Sequence, residues 1–315
     1  MRHALAACLL LPLAAAAGGF EDGNASSFAR AFAIPAMGRG AVLADGETEA
    51  RATLNWSNEF YDRASSDEAL LLDAESQRLT LAMRYGFANG WEGALELPFI
   101  SSGGGVLDGL IESWHDTFGM PNGNRQLRPR DQYRIQYQRN GQTVLLRTTG
   151  SSSVGDLRLS AGKALTPALT LRGLLQLPTG DANTLTGGHT GAALWAEYTT
   201  PITASGRTKV VWSLGGSAAE TGGALAKQQQ PVLGVAGAAL TMGLTERLDA
   251  LVEINSNSKL YRDSGQAPLS HAAAVVQFGG RYTLAGTRFE LAAIEDGSVN
   301  ASPDFGFHFA LSRRW

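Results

Sequence analysis

The residue types that most often carry out chemistry are sparse in this sequence and widely separated. The five histidines are His3, His115, His189, His271 and His308. No two of them have the spacing of metal ligands and no cysteine accompanies them, so no metal site is predicted. A serine–histidine pair at His308 would need a serine from another strand, because residues four apart on a strand lie about 13 Å away. No nucleophile motif stands out, so neither an enzyme nor a cofactor is predicted, although lipid hydrolysis stays open.

Charged residues of both signs recur at every second position of several predicted strands. The five that we take as lining an interior are Arg84, Glu92, Glu96, Arg281 and Glu290. One interpretation is a polar pathway for a small solute. The other is an ion-pair network that fills and stiffens a closed sheet. Barrels of about eight strands are filled by side chains and barrels of about sixteen leave a water-filled channel, so a barrel of twelve strands permits either interpretation.

The segment 115–130, HDTFGMPNGNRQLRPR, concentrates histidine, asparagine and arginine in one predicted loop. We predict His115, Asn124 and Arg125 as its contact residues. The loop would act as a lid or constriction that touches a solute, or it would bind phosphates of a lipid leaflet, since arginine binds phosphate in a bidentate way. A solvated polar loop is the third interpretation.

The elements that position these residues are strands with one apolar and one polar face. In the last stretch, 302–315, one parity carries Phe305, Phe307, Phe309, Leu311 and Trp315. Water penalises such a patch on a terminal strand. Lipid favours it, provided that a closed barrel pairs the backbone. The pattern predicts an all-β, closed antiparallel transmembrane barrel over residues 46–315.

Tight turns allow the strand registers to be predicted. A three-residue loop at Ala88–Gly90 pairs Phe87 with Trp91 and Met83 with Leu95. A two-residue turn at Ala285-Gly286 pairs Arg281 with Glu290. The other predicted pairs are Glu197 with Lys209, Leu240 with Ala250, Tyr137 with Val144 and Ile135 with Leu146.

Short and long connections alternate along the chain, as they do in outer-membrane barrels, which have short periplasmic turns and long extracellular loops. Counting them predicts twelve strands, with residues 61–74 among the long loops. The insertion 101–153 contains an amphipathic helix around residues 107–118 and a hairpin at 133–148, read as an extracellular extension. If that hairpin joins the wall, the barrel has fourteen strands. A soluble β-sandwich would not explain why the long loops fall on one side.

The N-terminus and the composition bear on location. Residues 1–17 have the positive start, apolar core and small-residue end of a signal peptide, which contains the single cysteine, Cys8. Residues 18–45 are either a lumen plug or a flexible leader. No apolar run after the leader reaches the ~18 residues of a membrane helix. The net charge of −3 predicts no nucleic-acid partner. Together these features predict the outer membrane of a Gram-negative cell.

Several short motifs resemble those of an outer-membrane family catalogued as domain of unknown function 3187. They are residues 32–35 (FAIP), 115–130, 154–159 (VGDLRL), 175–181 (LQLPTGD), 294–296 (IED) and the terminal strand. The resemblance covers roughly residue 28 to the end, and it implies location and fold but no activity. GDL and LPTGD also resemble motifs of transporters linked to aromatic-compound degradation (the meta-pathway) and fatty-acid uptake, which implies passage of a small hydrophobic molecule.

These observations lead to one functional prediction with two alternatives. We predict a narrow channel or transporter for a small solute, occluded in part by residues 20–45 or by the insertion 101–153. A non-conducting envelope-maintenance barrel is the first alternative, and a lipid-modifying enzyme is the second. The expected partners are outer-membrane lipid, lipopolysaccharide and the barrel-assembly machinery, which would contact the C-terminal strand.

Overall fold

A computed structural model describes residues 18–120, 122–297 and 301–315, so the predicted signal peptide 1–17 lies outside the described residues. The strands are β1 Thr48–Ala64, β2 Glu68–Phe87, β3 Trp91–Gly103, β4 Arg134–Arg139, β5 Gln142–Arg147, β6 Ser151–Val154, β7 Leu157–Ala164, β8 Leu169–Leu177, β9 Gly191–Pro201, β10 Thr208–Ala219, β11 Val232–Gly243, β12 Leu248–Asn257, β13 Ala273–Leu284, β14 Thr287–Asp296 and β15 Phe305–Arg314. The two α-helices are α1 Asp108–Phe118 and α2 Ala267–Ser270. No helix within these ranges is both long and apolar enough to cross a membrane.

Twelve wall positions form a closed antiparallel ring. From β7 to β15 each strand pairs with the next, and β1 pairs with β2 on one side and with β15 on the other. β2 and β7 both pair with β3, which completes the ring. β6 pairs with the extracellular end of β3 and continues the line of β7, so the two share one wall position. The predicted twelve-strand barrel is confirmed.

The β4–β5 hairpin does not enter the ring. β2 pairs with β3 from Glu75 to Phe87 and with β4 from Glu68 to Asp73, so the hairpin takes over the edge of β2 where β3 leaves it. The prediction of a long loop at 61–74 was wrong, because β1 and β2 continue as a paired ribbon almost to their tip. The predicted helix at 107–118 is confirmed as α1.

The registers beside the tightest turns are as predicted. Phe87 faces Trp91, Met83 faces Leu95 and Arg281 faces Glu290. Both turns use left-handed backbone: Asn89 has φ 62° and Gly90 has φ 70°, and Ala285 and Gly286 have φ 49° and 79°. Such two- and three-residue loops leave one register for the strands that they join.

The registers beside longer turns were wrong. Glu197 faces Ser213, and Lys209 faces Pro201, a shift of four residues. Leu240 faces Val252 instead of Ala250, a shift of two. An even shift keeps every side chain on its own face, so the alternation of apolar residues does not distinguish these registers and only the turn does.

The hairpin pairs were wrong for a different reason. Ile135 faces Arg147 and Tyr137 faces Leu145, one residue from the predicted partners. A β-bulge between Tyr137 and Gln138 inserts the extra residue. A bulge of this kind leaves the turn unchanged but moves every pair beyond it.

The outer face of the ring is apolar and the inner face is polar. Large apolar side chains stay exposed along the wall, and aromatic ones gather near the short turns: Tyr85, Phe87, Trp91, Tyr282, Phe289 and Trp315. The charged residues of the same strands are buried inside. Water would penalise so large an apolar surface, whereas hydrocarbon favours it and aromatic rings suit the membrane interface. The wall is therefore that of a transmembrane barrel.

Candidate functional site: the barrel lumen and its plug

Residues 18–45, called the plug here, run through the inside of the barrel as two arms. The first arm starts near the short-turn end, where the carbonyl of Gly18 accepts hydrogen bonds from Thr241 and Arg281 at 3.2 and 3.0 Å. It climbs to Phe28 and Phe32 at the extracellular end, and the second arm then returns to β1. The Gly19 N–H donates to the carbonyl of Gly38 at 2.7 Å, so the arms bond to each other.

The first arm is held by polar side chains of the wall. The Phe20 N–H donates to Glu253 at 2.5 Å, and the Phe20 ring lies 5.2 Å from the imidazole of His308. The carboxylate of Asp22 accepts hydrogen bonds from Asn55 and from Gln277 at 2.9 and 3.1 Å. This arm therefore contacts β1, β12, β13 and β15, which lie along one side of the ring.

Glu197, on β9, is the main anchor of the second arm. Its carboxylate accepts the backbone N–H groups of Gly38, Arg39 and Gly40 at 2.9, 3.2 and 2.8 Å. It also accepts from the Arg172 Nε at 2.9 Å. Three consecutive N–H groups of the plug thus bind one buried carboxylate. These bonds and the one from Arg172 are charge-assisted and stabilise the ionised carboxylate.

Two charged residues of the plug join the ion pairs of the wall. Arg39 binds Glu96 through a short contact, and its Nε lies 3.3 Å from Glu21. Glu21 in turn lies 3.4 Å from the guanidinium of Arg84. Burial by itself would raise the pKa of Glu21, but Arg84, Arg51 and Arg39 outweigh it and hold that pKa below its ordinary value. Glu21 is therefore ionised at neutral pH and bridges the plug to β2.

All five predicted lining residues lie buried inside the barrel. Arg84 binds Glu49 and Glu92 at 2.9 and 2.8 Å, while Arg281 binds Glu290 at 2.6 Å. Glu96 pairs with Arg39 of the plug. The lumen charges of the wall are thus largely neutralised by each other and by the plug, and they do not line an open pore in this arrangement.

An apolar cap closes the extracellular end. It consists of Phe28 and Phe32 of the plug, Tyr61, Leu70 and Leu72 of the β1–β2 ribbon, Ile135, Tyr137 and Leu145 of the β4–β5 hairpin, and Leu225, Tyr261 and Leu269 of the later loops. The Tyr261 ring meets Phe28 and Phe32 edge-on at 6.1 and 5.6 Å. The plug therefore supplies two aromatic rings near the centre of the cap.

The three predicted loop residues lie together but are occupied by partners within the protein. His115 bonds to the Asn122 side chain at 3.0 Å, and Asn124 donates to the Asp62 carbonyl at 3.2 Å. Arg125 binds Asp108 closely and Asp304 at 2.8 Å. Partial burial lowers the pKa of His115 below its ordinary value of 6.5, although the bond to Asn122 opposes that effect. This arrangement braces the 101–153 insertion against β1 and β15.

GDL and LPTGD, which lie within two of the motifs that carry the sequence resemblance, meet at the extracellular end of β7. The buried Asp156 carboxylate accepts the N–H groups of Gly180, Gly188 and His189 at 2.8, 2.8 and 3.2 Å. The Thr179 hydroxyl donates to the Gly155 carbonyl at 2.8 Å. These residues fold the loop between β8 and β9, which is a structural role.

The plug residues Glu21 and Arg39 were missed as site residues. The signal that points to them is charge within a stretch otherwise rich in glycine, alanine and serine. Within the described ranges, no group of three or more His, Cys, Asp or Glu side chains is placed to hold a metal ion. A polar cavity of about 50 Å³ lies between the plug and strands β1, β2, β3 and β7.

The ring, the apolar outer wall and the filled polar lumen define an outer-membrane β-barrel, and the protein is located in the outer membrane. The family described as "Protein of unknown function (DUF3187)" matches residues 6–315, so the chain belongs to that family, as the motifs had indicated. No curated protein matches the chain.

The chain resembles several solved structures. The COG4313 outer membrane channel from Pseudomonas putida F1 is 14% identical, with a TM-score of 0.57 over 87% of this chain and 97% of that one. The β domain of the Bordetella autotransporter BrkA is 10% identical, with a TM-score of 0.48 over 86% of this chain and 100% of that one. A FadL homologue from Pseudomonas aeruginosa is 9% identical, with a TM-score of 0.43 over 95% and 96%. Of the three, the likeness to the COG4313 channel shows the fold.

Proposed function

We propose that the protein is a gated channel or transporter for a small solute, closed in the arrangement described and opened by displacement of the plug. The observation that carries this proposal is that the plug fills the lumen but contributes no strand to the ring. Within the part of the chain that the structure describes, each wall strand pairs only with other wall strands or with the β4–β5 hairpin. The plug is therefore able to leave the lumen without breaking a backbone hydrogen bond between two wall strands.

The polar contacts of the plug are of a kind that water replaces, whereas apolar contacts such as that of Phe20 with Leu251 and Ala292 are not. Along both arms the polar contacts are hydrogen bonds and ion pairs with Glu253, Glu197, Glu96 and Arg84. The net contribution of one such bond is modest, since water offers an alternative partner, at about 0.5–1.5 kcal/mol for a neutral pair and more for a charged one. A hydrated, opened lumen would keep its polar lining solvated.

Opening the plug would also weaken the apolar cap. Phe28 and Phe32 belong to the plug and to the cap at once, and Tyr261 packs against both. Withdrawing the plug removes both rings from the cap. One movement would therefore open the two ends of the path together.

A disulfide lock tests the proposal. Ala33 of the plug is fully buried, and a β-carbon built at Gly191 of β9 would lie 2.7 Å from the β-carbon of Ala33. Disulfides need about 3.5–4.5 Å between these atoms, so A33C/G191C requires a shift of about 1 Å. The only native cysteine, Cys8, precedes the described residues, so one bridge is expected.

The protein would be refolded and its conductance and solute flux measured in planar bilayers and in liposomes. We expect intermittent openings of the native protein, none of oxidised A33C/G191C, and recovery on reduction. The A33C and G191C single variants are the controls for the substitutions. Silence of the native protein and of the reduced variant, with no flux of small solutes, would favour the non-conducting barrel. Release of fatty acid from phospholipid or lipopolysaccharide would favour the enzyme.

A further inference from the structure

Six arginines line the 50 Å³ cavity between the plug and the wall, and they fall into two groups. Arg39, Arg51 and Arg84 each form at least one ion pair with a glutamate. No carboxylate of the described ranges lies within 4.0 Å of Arg30, Arg78 or Arg158. The second group is the subject of this inference.

Arg30 and Arg158 are buried, and their hydrogen-bond partners among the described residues are uncharged. Arg30, on the plug, donates to the hydroxyls of Ser76 and Ser102 at 2.6 and 3.1 Å, and also to a loop carbonyl at 3.4 Å. Arg158, on β7, donates to the Ile34 carbonyl at 3.0 Å and to the Gln176 side chain at 3.2 Å. Both residues are less than one-tenth exposed, at 7% and 8%.

Each of the three arginines also has a buried donor without a protein partner. The Nε atoms of Arg30, Arg78 and Arg158 are enclosed and make no hydrogen bond within the described part of the chain. Burial lowers the pKa of Arg30, and the positive charge of Arg78 lowers it further, against an opposing effect of Glu59. The carboxylates nearest these arginines, Glu59 for Arg30 and Glu96 for Arg78 and Arg158, lie beyond ion-pair distance. The cavity lining has six arginines against three carboxylates, Glu21, Asp22 and Glu96, so an excess of positive charge is buried there, which is costly because water no longer solvates it.

We propose that this cavity binds a small oxyanion, a phosphate or a carboxylate group, held by Arg30, Arg78 and Arg158. Planar guanidinium groups match the oxygens of both anions and form short, charge-assisted hydrogen bonds with them. Since one water needs about 10–15 Å³, a cavity of about 50 Å³ holds roughly four waters, or one anion of that size. The site is independent of whether the barrel conducts.

Because the site lies between the plug and the wall, binding of the anion would affect the plug. Arg30 belongs to the plug, whereas Arg78 and Arg158 belong to β2 and β7 of the wall. An anion that bridges them binds only when the plug is seated. By linkage, it stabilises the seated plug by an amount that grows with its concentration.

The test uses the full-length refolded protein in a zwitterionic detergent at low ionic strength. Inorganic phosphate and acetate are titrated separately by calorimetry, with hydrogen exchange of residues 26–34 as the second readout. We expect one saturable site for at least one of the two anions, and slower exchange of the plug when it is filled. Comparing the two titrations decides between phosphate and carboxylate.

The variants separate the site from general charge effects. Among the described residues Arg78 has no hydrogen-bond partner to lose, so R78Q is expected to fold and to weaken binding at least about tenfold, as the loss of one charge-assisted bond implies. R63Q removes an exposed arginine of β1 and should bind as the native protein does. R158Q is a second variant, checked for its fold by heat-modifiable gel migration.

Three results would overturn the proposal. They are no saturable binding of either anion by the native protein, equal weakening in R63Q and R78Q, and native affinity in both R78Q and R158Q. The first would mean that the cavity holds water only. Binding without any effect on exchange of the plug would overturn the bridging role.

Discussion

The anchoring of the plug by Glu197 is open to a direct test with E197Q. Gln has nearly the same volume, but one of its two terminal atoms donates instead of accepting. Glu197 receives three backbone N–H groups of the plug, the Arg172 Nε and the Trp195 Nε1. Whichever way the amide turns, at least two buried donors lose their acceptor and Arg172 loses a counter-charge.

The magnitude follows from the number of donors affected. An unsatisfied buried donor costs about 1–3 kcal/mol, and removal of one member of a buried ion pair costs about 3–5 kcal/mol. Arg172 and Trp195 belong to β8 and β9, so the cost of their lost acceptor falls on the wall. The plug loses the acceptor of at least one N–H group and bonds its other N–H groups to an uncharged oxygen, which should weaken seating of the plug by about 3–4 kcal/mol. The opening equilibrium of the plug would then shift by roughly two to three powers of ten.

Hydrogen exchange of residues 36–42 in the refolded protein measures this shift. We expect those amides to exchange at least one hundred times faster in E197Q, with the wall amides of β11 to β14 unchanged. E246Q, at an exposed turn between β11 and β12, is the matched control. Native protection of residues 36–42 in E197Q would refute the anchoring role, and uniform loss over the whole wall would refute the independence of plug and ring.

Three further predictions concern the loops and turns. His115 has a pKa below 6.5 in helix α1, so the neutral form is favoured there; the stability from this effect is present above the ordinary pKa and is lost as the pH falls below it. Proteolysis of the 101–153 insertion should therefore speed up between pH 7 and pH 5, and less so in H115Q; equal acceleration in both would contradict this cause. D156N should speed exchange of residues 180–189 by at least about tenfold, since it weakens the acceptor of three N–H groups; unchanged exchange there would refute it. Ala285 has φ 49° at an exposed turn, so A285N should stabilise the folded barrel by about 0.5–1 kcal/mol, measured by urea unfolding in lipid vesicles, and a loss of stability would contradict the turn assignment.

The alternation of side chains predicts the barrel because it reports a local property, the face on which each residue lies. It does so equally well for β15, where the apolar parity faces outward, and for β10, where the register was wrong by four residues. Strand pairing beside a tight turn such as 285–286 is local as well. Pairing across the longer turns of 202–207 and 244–247 is not, because several turn conformations preserve the same faces.

The course of the plug was beyond the reach of a local pattern. Residues 18–45 have no sustained periodicity, and their conformation is set by wall residues that are distant in sequence. The ion pairs of Glu21 and Arg39 can be recognised only when Arg84 and Glu96 are known to face the lumen. The cavity arginines illustrate the same limit, since Arg30, Arg78 and Arg158 come from three separate segments that the sequence gives no reason to group.

The separation in sequence between the plug and its partners affects the order of biogenesis. The Phe20 N–H bonds to a residue 233 positions later, and the Gly40 N–H to one 157 positions later. The segment made early thus finds its binding sites only after the late strands are in place, and contacts of such long range form slowly. The first strand, which follows the plug directly, also forms the closing seam with the last one. We therefore expect the plug of a newly made chain to stay unbound until β1 and β15 pair and close the barrel around it.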